Sequence, residues 1–376
     1  MIMQRPESPL PPDLQEKRAG KIIGEYIDEL GLNLRGLAVY TEAATGYYRY
    51  APLICAMAGA ERVFARARNS SWGRAEDIKR ETMDIARRWG VDKAVSVELE
   101  SRPEAVSRCD IVTNSGGVRP INAEFVSWMK ETCVVPLMWE TWELRPWELD
   151  IQACKEKGIL VMGTDENTIQ FRPFTGMLIW KLLNDCHVEG CGNRIFIISS
   201  DVVGRAIRRT MRDNGVEFRW TSFDPEPDPD FLDTHIPSDD RSALLDWLAK
   251  ADALVCVERR HDREIIGPGG LFTACQLHEV NEAIILINRS GVVDYQGLKK
   301  EGVFIYPDRE TRHGVPTVGS YYLGPRPVLK LAVAGLKVGE AMARARLAGL
   351  GPAEAAAQAM KNSPAQDFKG ELAWIW

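Results

Sequence analysis

This chain is short of several things that would settle its class at once. It has no apolar run near the ~20 residues that cross a bilayer, and its start, MIMQRPESPLPP, lacks the apolar core of a secretion signal. Its five histidines are widely separated and its eight cysteines scattered singly, without a C-x-x-C or a second pair at zinc-site spacing beside Cys186 and Cys191. These absences predict reduced thiols, no metal centre, no membrane partner and a cytoplasmic protein. A net charge of -6 offers nucleic acid no reason to bind. G-x-S-x-G elbows and Walker loops are missing too, which removes two large hydrolase classes.

What is present is an ordinary soluble composition, 45% hydrophobic and 27% charged, on 376 residues, enough for two domains. After a proline-rich start, Asp13–Leu30 reads as a helix. Strands and helices then alternate, which predicts parallel sheets with covering helices. Expected strands are Leu37–Tyr40, Val63–Ala67, Ala94–Val97, Asp110–Asn114, Val134–Met138 and Ile159–Met162 in a first sheet. Those of a second are Arg194 onward, Val216–Thr221, Ala253–Val257, Ala283–Asn288 and Val303–Tyr306. The expected division is an arm and helix over 1–35, a flavodoxin-like substrate domain over 36–168, a buried interdomain helix over 169–190, a Rossmann-like nucleotide-binding domain over 191–325, and C-terminal helices over 326–376. The apolar tail, Trp374 to Trp376, is expected to dock on a surface or a second subunit.

The most telling stretch is Arg194–Arg212, RIFIISSDVVGRAIRRTMR. An apolar strand meets a polar turn, then Val203, Ala206, Ile207 and Met211 recur at helical spacing. This is the opening of a dinucleotide-binding unit, whose phosphates rest on the helix N-terminus. In the turn, Ser199-Ser200-Asp201-Val202-Val203-Gly204, only the last of the three glycines of G-x-G-x-x-G remains. Gly204 keeps the packing role, while Asp201 puts a carboxylate where a pyrophosphate comes close. At ~4 Å that repulsion costs about 1 kcal/mol in water and about 4 at a surface-like dielectric; alternatively Asp201 caps the helix. The ribose-binding acid that usually ends the second strand is represented by Asp224.

Several segments resemble the D-isomer-specific 2-hydroxyacid dehydrogenases, the formate and glycerate dehydrogenase group. They are CDIVTNSGG (Cys109–Gly117), LDIQACKEKGILVMGT (Leu149–Thr164), ADALVCV (Ala251–Val257) and ILINRSGVVD (Ile285–Asp294), within residues 36–335. The resemblance implies NAD or NADP, a homodimer, and Arg289 holding a substrate carboxylate and carbonyl. It also implies a histidine in a Pro-His-x-Gly context, but here Val315-Pro316-Thr317-Val318-Gly319 puts Thr317 there. Threonine cannot exchange a proton near neutral pH, so His313 is a candidate substitute.

Three loops at expected carboxyl edges of the first sheet carry further candidates. In Trp139–Glu148, Trp139 and Trp142 would be pocket walls, Arg145 an anion clamp, and Glu140 or Glu143 a general acid/base; an interface is the competing reading. In Thr41–Tyr50, Thr45 and Tyr47 stand at a helix start that could receive an anion. In Asn114–Arg119, Gly116, Gly117 and Arg119 form a possible anion site. Together these point to a small anionic substrate and a divergent NAD(P)-dependent oxidoreductase on a 2-oxo or 2-hydroxy acid or related imine. The alternatives are a non-redox enzyme with a glutamate base and a non-catalytic binding protein.

Overall fold

The computed structural model describes residues 10–374 and divides them into two compact units, one of residues 10–170 and 325–374, the other Phe171–Gly324. The first nine residues and the last two, Ile375 and Trp376, lie outside the described residues, so expectations for them are not taken further.

The first unit begins with α1 (Pro12–Leu30), whose Ile22, Ile23 and Tyr26 are buried. It continues β1 (Ala38–Glu42), α2 (Ala51–Met57), β2 (Arg62–Arg66), α3 (Ala75–Arg88), β3 (Val95–Glu98) and α4 (Pro103–Val106). There follow β4 (Ile111–Val112), α5 (Ala123–Trp128), β5 (Val134–Pro136), α6 (Ile151–Lys157) and β6 (Leu160–Thr164). The second unit runs α7 (Arg172–Asp185), β7 (Arg194–Ile198), α8 (Asp201–Asp213), β8 (Glu217–Thr221), α9 (Arg241–Leu248), β9 (Ala253–Val257), β10 (Glu264–Ile266) and α10 (Ala274–Val280). It closes with β11 (Ile285–Ser290), β12 (Val292–Val293), α11 (Tyr295–Lys300) and β13 (Phe304–Tyr306). The chain then returns to the first unit with α12 (Pro325–Leu347), α13 (Pro352–Asn362) and β14 (Ala365–Gln366).

Both units are parallel-sheet α/β structures, the fold class expected. Their strands are apolar because both faces are covered: β6 and β9 are buried at every position. Strand order adds what periodicity cannot show. The first sheet runs β14-β6-β5-β4-β1-β2-β3, parallel except for β14, and the second β13-β11-β9-β7-β8. Numbered from its own first strand, the first unit has the doubly wound order 3-2-1-4-5-6, and the second the flavodoxin order 2-1-3-4-5. The two finer labels therefore exchange places within the expected class. The reason is the crossover after β8, which returns the chain to the other side of β7 instead of adding a third strand beyond β8.

Order locates the sites, because ligands in such sheets sit beyond the carboxyl ends of strands where winding reverses. That point lies between β1 and β4 in the first unit and between β7 and β9 in the second. In the second unit, α8 packs on the sheet through Val203, Ile207 and Met211, each buried side chain contributing about 1.5–3 kcal/mol. Helix α7 packs against α8 within the same unit. The tail docks on the first unit itself: Trp374 donates its backbone N–H to Asp367, and Lys155 Nζ bonds the carbonyl oxygens of Glu371 at 2.7 Å and Ala373 at 3.1 Å.

Candidate functional site

The second unit's reversal point is built from the ends of β7, β8 and β9. Ser199 Oγ donates to the Val257 carbonyl at 2.7 Å, tying the turn after β7 to β9, and Ser200 Oγ donates to Glu258. Glu258 Oε1 accepts the backbone N–H groups of Arg260 at 2.8 Å and His261 at 3.0 Å. Asp201 sits at φ 57°, in the left-handed region. Glycine is the usual tenant there, and it is the position of the second glycine in the dinucleotide turn. Asp201 takes that backbone shape without being glycine. Gly204 is held to its type by space: a Cβ there would lie 2.6 Å from Arg208 Nη1 and 2.7 Å from the Ser199 carbonyl oxygen.

Carboxylates fill this turn. Asp201 Oδ1 folds back to accept Val203 N–H at 2.7 Å, while Asp224 Oδ2 accepts Asp201 N–H at 2.8 Å. Asp224 Oδ1 is 3.0 Å from His261 Nε2 and 3.6 Å from Arg260 Nη1. Burial pushes the Asp201 carboxyl above its usual range and the Glu258 and Asp224 charges add to this, with Val203 N–H and Arg172 opposing. Val202, by contrast, points largely to solvent. Behind the turn, Arg208 is 1% exposed and stacks 3.7 Å from the Trp220 ring centroid. It donates to the Ser199 carbonyl at 3.2 Å and to Asp228 at 2.8 Å. This buried cation fixes the turn from below and anchors the segment after Asp224.

Arg289 lies at the carboxyl end of β11, where Asn288 pairs with Cys256 and Ser290 with Val257, leaving Arg289 as the extra residue of a bulge. Bulges re-aim a side chain at a sheet's rim. Thr317, in the histidine position of the resemblance, plays a different part. Its hydroxyl donates to the Asn288 carbonyl at 2.8 Å and its N–H to the Arg289 carbonyl at 2.7 Å. Thr317 therefore pins the bulge that carries Arg289. His313 has its Nδ1 3.7 Å from Asp262 Oδ1, a loop ion pair when protonated.

In the first unit, β1 and β4 end at Glu42 and the Thr113–Gly117 segment. Glu42 is a buried carboxylic acid that composition and spacing did not single out. Its Oε2 accepts Gly117 N–H at 2.7 Å, and a Cβ on Gly117 would lie 2.7 Å from Glu42 Cβ, so this loop is glycine for close approach. Burial pushes the Glu42 carboxyl up, opposed by the Gly117 amide and the Arg119 charge. Gly116 lies alongside, its Cβ position 3.7 Å from Glu42 Oε2. Thr113 Oγ1 bonds Thr41 Oγ1 at 2.9 Å and meets Ser115 Oγ at 3.1 Å. The signal available in sequence was an acid closing a strand just before small residues, LAVYTEAATG.

The expected anion clamps are engaged with protein groups. Arg119 is held by Asn114 and by Glu148 Oε1 at 2.6 Å, and lies 4.3 Å over the Trp139 ring. Arg145 reaches the same Glu148 oxygen at 3.2 Å. Trp142 donates its indole N–H to Glu140 at 2.6 Å, and Glu143 lies in the same short helical turn. Thr45 precedes the turn Gly46–Tyr50 without a side-chain cap, and Tyr47 packs half-buried on the core. The structure thus gathers Glu42, Gly116, Gly117 and Arg119 around one reversal point, and Ser199, Asp201, Gly204 and Asp224 around the other. Among the described residues no group of three or more His, Cys, Asp or Glu side chains could hold a metal, and no helix is long and apolar enough to cross a membrane. All eight cysteines are unpaired.

No protein-family profile matches the chain, and no curated protein matches it by sequence. Solved structures do. A dipicolinate synthase chain from Bacillus subtilis matches at TM-score 0.54 and 8% identity, over 85% of this chain and 100% of that one. A dipicolinate synthase chain from Bacillus halodurans matches at TM-score 0.51 and 10% identity, over 80% and 96%. A D-lactate dehydrogenase from Treponema pallidum is also similar, at TM-score 0.47 and 11% identity, over 82% and 97%. At such identities the likeness to the two dipicolinate synthase chains is one of fold: this chain has the two-unit α/β architecture of those proteins.

Proposed function

We propose that the protein is an oxidoreductase that binds a nicotinamide dinucleotide, NAD or NADP, in its second unit and acts on a small carboxylate, a 2-oxo or 2-hydroxy acid or a related imine. The observation that carries this is the turn Ser199–Gly204 at the winding reversal: its backbone keeps the glycine conformation at Asp201, and Gly204 has no room for a Cβ. Such a backbone supports the dinucleotide reading, and Val202, Val203 and Asp224 border the same turn.

The nicotinamide would supply or accept the hydride. This chain's own residues bind and orient. Arg289, the buried extra residue of the β11 bulge, is the side chain that would hold a carboxylate or carbonyl through paired donors, and Thr317 keeps that bulge in shape. A hydroxyl committed to a backbone carbonyl does not move protons, so Thr317 is a positioning residue.

The test is tryptophan quenching by NADH and NADPH, followed by NADH oxidation against a panel of 2-oxo acids. Saturable quenching is expected, with Arg289→Ala raising KM for the oxo acid tenfold or more. Absence of any saturable change at millimolar NADH and NADPH overturns the proposal. One observation favours a second reading: two carboxylates already occupy the phosphate turn. Those contacts suit a non-redox enzyme or a binding protein, for which neither cofactor binds.

A further inference from the structure

The dinucleotide turn of the second unit has an anion in it already, and that anion belongs to the chain. The first N–H of α8, on Asp201, is the donor a pyrophosphate would take at a helix N-terminus. Asp224 Oδ2 accepts it at 2.8 Å, while the other oxygen faces His261 at 3.0 Å and Arg260 at 3.6 Å. The next carboxylate, Asp201, occupies Val203 N–H. In the usual arrangement an acid at the end of the second strand holds ribose hydroxyls, and the pyrophosphate sits at the helix N-terminus. Here the acid stands three residues beyond β8 and reaches back to the amide.

We infer that Asp224 is an internal competitor of the ligand's pyrophosphate and sets specificity at this turn. A dinucleotide docks there only when Asp224 leaves the Asp201 amide. Resting on the dinucleotide reading above, this adds a specific consequence. The groups that now hold Asp224, His261 and Arg260, sit where they can face the incoming phosphates once the carboxylate has moved. The contact lies near the surface, with Asp224 18% exposed at its side chain and Arg260 60%. Ligands with hydroxyls but no phosphate have nothing to displace, so Asp224 does not oppose them.

The prediction runs opposite to the ribose-binding role. The full chain and its Asp224→Asn and Asp201→Gly variants are titrated with ADP-ribose, NADH and adenosine by calorimetry or fluorescence. A competitor gives about tenfold tighter ADP-ribose and NADH binding in Asp224→Asn, about 1.4 kcal/mol, with adenosine changed little. Asp201→Gly, which removes the second carboxylate and suits the backbone, shifts the same way and serves if Asp224→Asn folds poorly. Weaker or equal NADH binding in both variants, with wild type binding, overturns the competitor and leaves the dinucleotide reading standing. Tight ADP-ribose binding in the variants without any response to the nicotinamide half keeps the competitor and ends that reading. No saturation in any protein with any probe ends both.

Discussion

The two winding reversals use one device with different permanence. At β1 and β4, Glu42 takes the N–H of Gly117; at β7 and β9, Asp224 takes the N–H of Asp201. Glu42 is 7% exposed and wedged against Gly117, where a Cβ would lie 2.7 Å from its own. Its carboxylate is part of the first unit's interior. Asp224 lies at the rim, shared between an amide, an imidazole and a guanidinium, and the loop beneath it is the firm part. There Arg208 is sandwiched against Trp220 and paired with Asp228, which Arg205 also holds through 3.0 and 2.9 Å bonds. A carboxylate in a core is a structural part, and one at a rim is a placeholder. The difference teaches which of the two sites is open to exchange.

The contrast breaks most visibly if the support under the second site is removed. Asp228→Ala leaves Arg208 buried without its carboxylate, which costs about 3–5 kcal/mol; denaturant unfolding, with hydrogen exchange localised to the second unit, measures it. Burial pushes the Asp228 carboxyl up, yet the bonds from Arg205 and Arg208 outweigh this and hold it below its usual range. That contribution is present above the ordinary aspartate pKa and is lost as pH falls through the lowered folded value. On the first unit's side, Gly117→Ala forces a methyl against Glu42 and is expected to cost about 1–3 kcal/mol, read as a fall in Tm.

A smaller effect has the opposite sign. Asp201→Gly relieves a left-handed aspartate, a conformation that costs roughly 1–2 kcal/mol in an L-residue, less the ~0.4–1 kcal/mol of extra freedom glycine has when unfolded. A net gain of up to about 1.6 kcal/mol is expected, and a clear loss would show that the hydrogen bond from Val203 matters more than the strain. The gentlest probe is Glu42→Gln, read as a slope of stability against pH. A carboxyl whose folded pKa is raised is most favourable below its ordinary value. Its contribution is lost as pH rises from there through the raised folded value. The wild type should lose stability across that window relative to Glu42→Gln, and parallel curves would contradict the buried-acid account.

Much of the architecture is legible from local pattern. The apolar run at Ile195–Ile198 and the helical spacing of Val203, Ile207 and Met211 give β7 and α8, and Gly204 is where a glycine is sterically required. Strand order was not legible, because whether β9 joins β7 on one side or β8 on the other is decided by non-local pairing that leaves no period in the sequence. The same reason hides the site's key contact: Asp224 and Asp201 are 23 residues apart, and only the parallel register of β7 and β8 brings them together. Thr317 was readable as a missing imidazole, whereas its bonds to the β11 bulge required the fold. Arg119 and Arg145 read as anion clamps because charge is visible in sequence, and their shared partner Glu148 becomes visible only in space.

Hydrogen–deuterium exchange of the full chain with and without millimolar NADH tests the central claim most directly, since it reads both reversals in one experiment. Protection is predicted in peptides covering Ser199–Asp213, Phe223–Asp228 and Glu258–Asp262, with Glu42–Tyr50 and Asn114–Arg119 unchanged. Protection confined to the Glu42 and Asn114 loops, or protection nowhere, would contradict the assignment of the second unit as the dinucleotide site.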